Sequence, residues 1–143
     1  MIRGAKKVVT QFVVAADEDL GYLPGDMGSK MEPWAIPMLE FIEKYLTHNQ
    51  VQSRVYIEPL GFMRGRTFDN TFVIADEMQN STPNQMKMLL TRLGANSKMI
   101  VLGDLQQSDL PTKNGLEDII DRVDCIEMDH LEYVNMTDED VLR

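Results

Sequence analysis

Twice in this sequence a short apolar run of strand character ends abruptly in carboxylates, and that repetition restricts the fold more than any other feature. Thr71-Phe72-Val73-Ile74-Ala75 runs into Asp76-Glu77, and Lys98-Met99-Ile100-Val101-Leu102 runs into Gly103-Asp104. A strand buried on both faces of a parallel sheet reads as a near-continuous apolar stretch, and ligands collect just beyond the carboxyl ends of such strands. Both runs are therefore expected to be buried strands. Adjacent carboxylates repel, so the Asp76-Glu77 pair is costly unless a cation or a proton-transfer task employs it. The competing explanation is an acidic helix N-terminus after a strand, where Asp and Glu suit the helix dipole.

Helical patterns alternate with these runs. Thr82 suits an N-cap, Pro83 the first helical position and Gln85 the reciprocal partner of a capping box; Met86, Leu89, Leu90 and Leu93 then form one apolar stripe before Gly94, a natural stop. Upstream, Lys6 to Ala16 is β-branched and apolar and predicts a strand, followed by a breaker-rich loop from Asp17 to Asp26. Trp34, Met38, Phe41, Ile42 and Tyr45 fall at helical spacing between Pro33 and Thr47, Val55 to Glu58 reads as a short strand, and Gly61 to Thr67 reads as a loop. Downstream, Leu116, Ile119, Ile120 and Val123 predict a helix and Cys125 to Met128 a last short strand, while Thr137 with Asp138, Glu139 and Asp140 reads as a cap and acidic first turn. Such alternation indicates an α/β layer fold with a mostly parallel sheet, as one domain over residues 1–143.

A net charge of -9 argues against a protein that coats nucleic acid by bulk electrostatics, although it leaves room for a local basic groove. Arg64 and Arg66 are the candidates for one, because guanidinium forks match phosphate oxygens; an exposed basic loop offsetting nearby acids explains the same two residues. No apolar run approaches a membrane span and the start has no signal-peptide core, so a cytoplasmic protein that enters no membrane is expected. The single cysteine, Cys125, reads as a small core residue, and His48 and His130 are too far apart to suggest a zinc cluster. The eleven methionines read as flexible core filler.

Five stretches taken in order carry a more specific signal. They are Leu20-Gly21-Tyr22-Leu23-Pro24-Gly25-Asp26, Met63-Arg64-Gly65-Arg66-Thr67, Asp76-Glu77-Met78-Gln79-Asn80, Gln85-Met86-Lys87-Met88 with Thr91-Arg92-Leu93-Gly94, and Gly103-Asp104-Leu105-Gln106-Gln107 through Asp109-Leu110-Pro111. Together they resemble the PhoH family, the phosphate-starvation-associated P-loop ATPases related to superfamily 1 helicases, over nearly the whole chain. The resemblance implies a three-layer α/β/α fold with a mostly parallel RecA-like P-loop NTPase sheet. It also implies Mg²⁺-dependent ATP hydrolysis, RNA or single-stranded nucleic acid as a partner, and a homo-oligomeric ring. By the same resemblance Asp76 is the Walker B carboxylate that holds Mg²⁺, and Glu77 orients and deprotonates the attacking water. Gln79 lies in the family's DE-x-Q element and, with Asp104, is expected at the nucleotide. Gln106 is expected to sense the γ-phosphate, since an amide reads an anionic oxygen without the repulsion a carboxylate adds. Arg64, Arg66, Arg92 and Arg143 match family arginines, one of which would serve as an arginine finger from a neighbouring subunit. Arg92 is equally explained as a cation favoured at a helix C-terminus.

The departures from the family pattern matter as well. No G-x-x-x-x-G-K-[ST] occurs in the 143 residues, and Gly28-Ser29-Lys30 is no substitute, because Ser29 separates glycine from lysine and no Ser or Thr follows. Thr10-Gln11-Phe12 stands where the family commonly has Thr-Arg-Pro. The expectation is an N-terminally truncated PhoH-like ATPase domain in which Asp76 alone would hold Mg²⁺ weakly. The alternative is a non-hydrolysing RNA-binding or ring-assembly module. If the first is correct, the nucleotide sequence preceding Met1 encodes, in some frame or neighbouring exon, a strand followed by Gly-x-x-x-x-Gly-Lys-Ser/Thr. Several kilobases without that motif would count heavily against it.

Overall fold

The fold is seen in a computed structural model that describes residues 7–12, 36, 39–123, 125, 130–137 and 140. Four strands are described: β1 (Lys7–Phe12), β2 (Val55–Tyr56), β3 (Thr71–Asp76) and β4 (Lys98–Val101). They form one parallel sheet in the order β2-β1-β3-β4. Among the described residues, 39–43 are helical, and the helices with described bounds are α1 (His48–Arg54), α2 (Pro83–Leu90) and α3 (Gly115–Val123), with 3-10 turns at Leu60–Met63, Met78–Asn80 and Leu105–Gln107. Parallel neighbours require crossovers, and α2 supplies the one that carries the chain from the end of β3 back to the start of β4.

Register fixes what meets at each end of the sheet. β3 pairs with β1 from Lys7↔Thr71 to Phe12↔Asp76, and with β4 from Phe72↔Lys98 to Ala75↔Val101. Because side chains alternate along a strand, Thr71, Val73 and Ala75 turn to one face and are buried, while Phe72, Ile74 and Asp76 are half-buried on the other. The buried face belongs to a core of Met63, Phe68, Val73, Ala75, Met78, Met86, Leu89 and Leu116, against which Ile119 and Ile120 also pack. Leu60 and Met63 anchor a 3-10 turn inside the segment expected to be loop, so that segment is pinned to the core.

Several expectations need correction. Lys98 to Leu102 is less buried than expected: β4 is the outermost of the described strands on its side, and Ile100 and Leu102 are 37% and 40% exposed. The strand expected at Val55 to Glu58 is only two residues long, and it follows a helix, α1, that apolar periodicity did not announce. Only Val51 is buried in α1, whose start is instead signalled by Thr47: its backbone N–H and hydroxyl both donate to the Gln50 side-chain oxygen, at 2.9 and 3.1 Å. Leu93 lies past the end of α2 and is 40% exposed. The helix stops at Leu90, where the Thr91 hydroxyl donates to the Lys87 and Met88 carbonyls, so Gly94 is not the terminator. Gly94 is required by close approach, since a Cβ there would collide with the Asp69 carboxylate and come within 2.8 Å of Thr67 Cγ2. Cys125 is exposed in a turn, not a core residue. The expected loop from Asp17 to Asp26, Ile126 to Met128, and Arg143 lie outside the described residues.

The capping box of α2 is present as expected. Thr82 Oγ1 accepts from the Gln85 N–H at 3.3 Å, and Gln85 Oε1 accepts from the Thr82 N–H at 2.8 Å. Thr82→Ala removes one of these two bonds and is expected to destabilise the domain by about 1 kcal/mol. Equilibrium denaturation checks this, and an unchanged midpoint would show that packing alone holds the helix start.

Candidate functional site

The carboxyl ends of β3 and β4 are fastened to each other beyond the last regular pair. Leu102 N–H donates to Ala75 C=O at 2.7 Å, and Met78 N–H donates to Leu102 C=O at 3.0 Å. For the second bond to form, the chain must turn within one residue, and Glu77 makes that turn with φ 57° and ψ 31°. This left-handed conformation brings Cβ against the following carbonyl and costs a non-glycine residue about 1–2 kcal/mol. The next three residues coil into the Met78–Asn80 turn, with Met78 and Gln79 buried and the Glu77 side chain left exposed.

Asp76 and Glu77, adjacent in sequence, therefore occupy different environments. Asp76 is half-buried, and one carboxylate oxygen accepts from the Glu77 N–H at 3.0 Å. Burial lifts its carboxyl pKa above the usual 3.8; the Glu77 N–H partly offsets this, and the nearby Glu77 charge adds to it. Its other oxygen has no hydrogen bond among the described residues. Those residues also include no group of three or more His, Cys, Asp or Glu that could hold a metal. A single partly desolvated carboxylate suits Mg²⁺, which keeps several waters and takes its remaining ligands from phosphate oxygens.

After β4 the second carboxylate does something different. Asp104 accepts from the Gln106 N–H at 2.9 Å through one oxygen and from the Gln107 side-chain amide at 2.8 Å through the other. Its charge is thus used to shape the Leu105–Gln107 turn, whereas Gln106 is exposed and its side-chain amide is engaged by none of the described residues. Gln79, expected at the cofactor, is 1% exposed. Its Nε2 donates to the Glu77 carboxylate at 2.7 Å, and its Oε1 accepts from the Asp104 N–H at 3.2 Å. Two further bonds tie the same turns together: Ser108 hydroxyl to Gln79 C=O at 2.9 Å, and Asp109 N–H to Asn80 Oδ1 at 3.1 Å. Sequence reasoning missed Ser108 and Asn80, because no local pattern reveals a partner nearly thirty residues away.

The structure does not bring Arg64, Arg66 or Arg92 to this place. Arg64 and Arg66 precede β3 and Arg92 precedes β4, so all three sit toward the amino ends of strands whose carboxyl ends carry Asp76 and Asp104. The Arg92 guanidinium donates to the Arg66 C=O at 3.3 Å and Phe68 N–H donates to the Arg92 C=O at 2.8 Å, which fixes Arg66 and Arg92 beside each other ahead of the sheet. Six residues of β3, roughly 17 Å, separate them from the carboxylates. Arg66 forms an ion pair with Glu58, and the half-buried Arg92 has its Nε buried without a hydrogen-bond partner among the described residues.

An α/β domain with a parallel sheet, two acidic strand ends fastened together and an amide displayed beside them defines a class in which ligands bind at the carboxyl edge. The PhoH-like protein family matches residues 3–143 of the chain. A PhoH-like protein of Bacillus subtilis is 42% identical over 142 residues, covering 90% of this chain and 44% of the relative. Protein PhoH of Escherichia coli is 43% identical over 145 residues, covering 95% and 40%, and a PhoH-like protein of Synechocystis sp. is 44% identical over 117 residues, covering 77% and 36%. The chain belongs to the PhoH family, and it spans about two fifths of the length of these relatives. No helix among the described residues is long and apolar enough to cross a membrane.

The raised Asp76 pKa gives a signed stability effect. A carboxyl whose folded-state pKa exceeds its unfolded value stabilises the fold below the unfolded pKa and loses that contribution as pH rises through the folded value. Asp76→Asn, which keeps the acceptor for the Glu77 N–H, is expected to match the wild type in melting temperature well below pH 3.8 and to exceed it increasingly above. Paired thermal melts across pH 3 to 7 read the difference; a gap that is flat or opens toward acid contradicts the burial argument.

Proposed function

We propose that this domain supplies the carboxylate half of a Mg²⁺-ATP hydrolysing site, carried on a three-layer RecA-like P-loop NTPase fold whose phosphate-loop portion is not within the 143 residues. The observation that carries the reading is Glu77, held in a left-handed turn with an exposed carboxylate beside the half-buried Asp76. Asp76 is the Walker B acid and holds the cation, largely through water. Glu77 orients the attacking water and takes its proton. Gln106, displayed by the Asp104-capped turn, contacts the terminal phosphate, and Asp104 contributes by holding that turn. Mg²⁺, when bound, neutralises charge developing on the phosphate oxygens. Gln79 acts behind Glu77, not on the nucleotide.

The separation of Arg64, Arg66 and Arg92 from the carboxylates favours a role in trans: in a homo-oligomeric ring of a cytoplasmic protein, one of them faces the nucleotide of a neighbouring subunit. RNA or another single-stranded nucleic acid is the macromolecular partner proposed for that ring, and a link to phosphate starvation follows the family. The same arginine edge supports a second reading in which the chain is a non-hydrolysing RNA-binding or ring-assembly module.

Isothermal titration with Mg²⁺-ATP and with single-stranded RNA, combined with ATP turnover, separates the two. On the first reading nucleotide binds and Glu77→Gln lowers turnover by about 10²–10⁴-fold, the range expected for loss of a general base, with nucleotide affinity little changed. Tight RNA binding with no nucleotide binding establishes the second reading instead. Turnover that survives Glu77→Gln removes Glu77 from the chemistry.

A further inference from the structure

Gln79 is a buried polar side chain at the carboxyl edge, at 1% exposure, and both ends of its amide have partners of opposite character. The Nε2 donor meets the Glu77 carboxylate, which only accepts, and the Oε1 acceptor meets the Asp104 backbone N–H, which only donates. The orientation of the amide is therefore dictated by its neighbours: the flipped amide would set an oxygen against a carboxylate and an NH₂ against an N–H. No charged or apolar side chain of this shape satisfies both contacts. A glutamate would meet Glu77 as a like charge, and a methionine would leave the Asp104 N–H without this acceptor.

The surroundings are cut to fit this amide. A Cβ at Gly103 would lie 2.6 Å from Gln79 Oε1 and 2.8 Å from Leu116 Cδ2, so a side chain there would expel the amide oxygen from its position. Beyond Asp104 the hydrogen bonds continue without a break: the Asp104 carboxylate holds the Gln106 N–H and the Gln107 amide, and Gln106 presents its own amide outward. From Gln106 to Glu77 there is thus one contiguous path, through the Asp104 turn and the Gln79 amide.

We propose that Gln79 is a positioning residue that keeps the Glu77 carboxylate in register with the Gly103–Gln107 turn, so that whatever engages Gln106 is felt at Glu77. The importance of the link for hydrolysis rests on the nucleotide reading above; the link itself does not, and it is tested without nucleotide. In the full chain, Glu77→Ala is expected to shift the backbone amide resonance of Asp104 well beyond the changes at remote residues such as Val51 and Asp118. The same substitution made in a Gln79→Met background, which preserves bulk but removes the amide, is expected to leave Asp104 where it stands. A double-mutant comparison of this kind isolates the coupling from any general loss of stability. The proposal is overturned if Asp104 ignores Glu77→Ala in the wild-type background, or if it responds equally with methionine at position 79. Should Gln79→Met not fold, the Gln79 side-chain NH₂ resonances decide. They are expected to move on Glu77→Ala, which removes their acceptor, and on Gly103→Ala, which displaces the other end of the amide; indifference to Glu77→Ala overturns the link.

Discussion

The arrangement at the carboxyl edge depends on Leu102 acting as both donor and acceptor between two parallel strands. Its N–H holds the end of β3 through Ala75, and its C=O demands the N–H of Met78. Met78 reaches that carbonyl because the chain reverses at Glu77. The strained turn, the exposed Glu77 and the buried Gln79 accompany that bond. The two carboxylates that stand side by side in the chain are then separated by environment, one partly withdrawn from water and one displayed to it. Such a division gives neighbouring acids different tasks.

Strand direction does the rest of the sorting. The segments entering β3 and β4 bring Arg64, Arg66 and Arg92; those leaving the same strands carry Asp76, Glu77, Asp104 and Gln106. A chain with a net charge of -9 thus keeps its arginine cluster at the far side from its strand-end acids. None of these three guanidinium groups pairs with Asp76 among the described residues.

How much of this was legible in the sequence depended on whether the deciding interaction was local. The capping box at Thr82 and the stripe through Leu116, Ile119 and Ile120 lie within one or two helical turns, so periodicity and composition reveal them. The acidic strand ends were visible for the same reason. Helix α1 was missed because it buries a single residue, Val51, and so has almost no apolar stripe to detect. An apolar run such as Met99 to Leu102 predicts a buried strand, yet Ile100 and Leu102 are 37% and 40% exposed, because burial depends on what packs against a strand and its own residues do not encode that. The destination of the Gln79 amide was out of reach on the same principle: its second partner lies 25 positions further along the chain. The position of Arg64, Arg66 and Arg92 relative to the acids is likewise not legible in the sequence; the parallel topology sets them at the amino ends of β3 and β4.

The left-handed turn at Glu77 also sets backbone comfort against the displayed carboxylate at a single position. Glycine or asparagine would adopt φ 57° more comfortably than glutamate, so the substitutions that relieve the backbone there are those that delete its displayed carboxylate. Random change screened for thermal resistance alone would drift toward erasing that group, and a stabilised variant of this domain would need position 77 held fixed while gains are sought elsewhere.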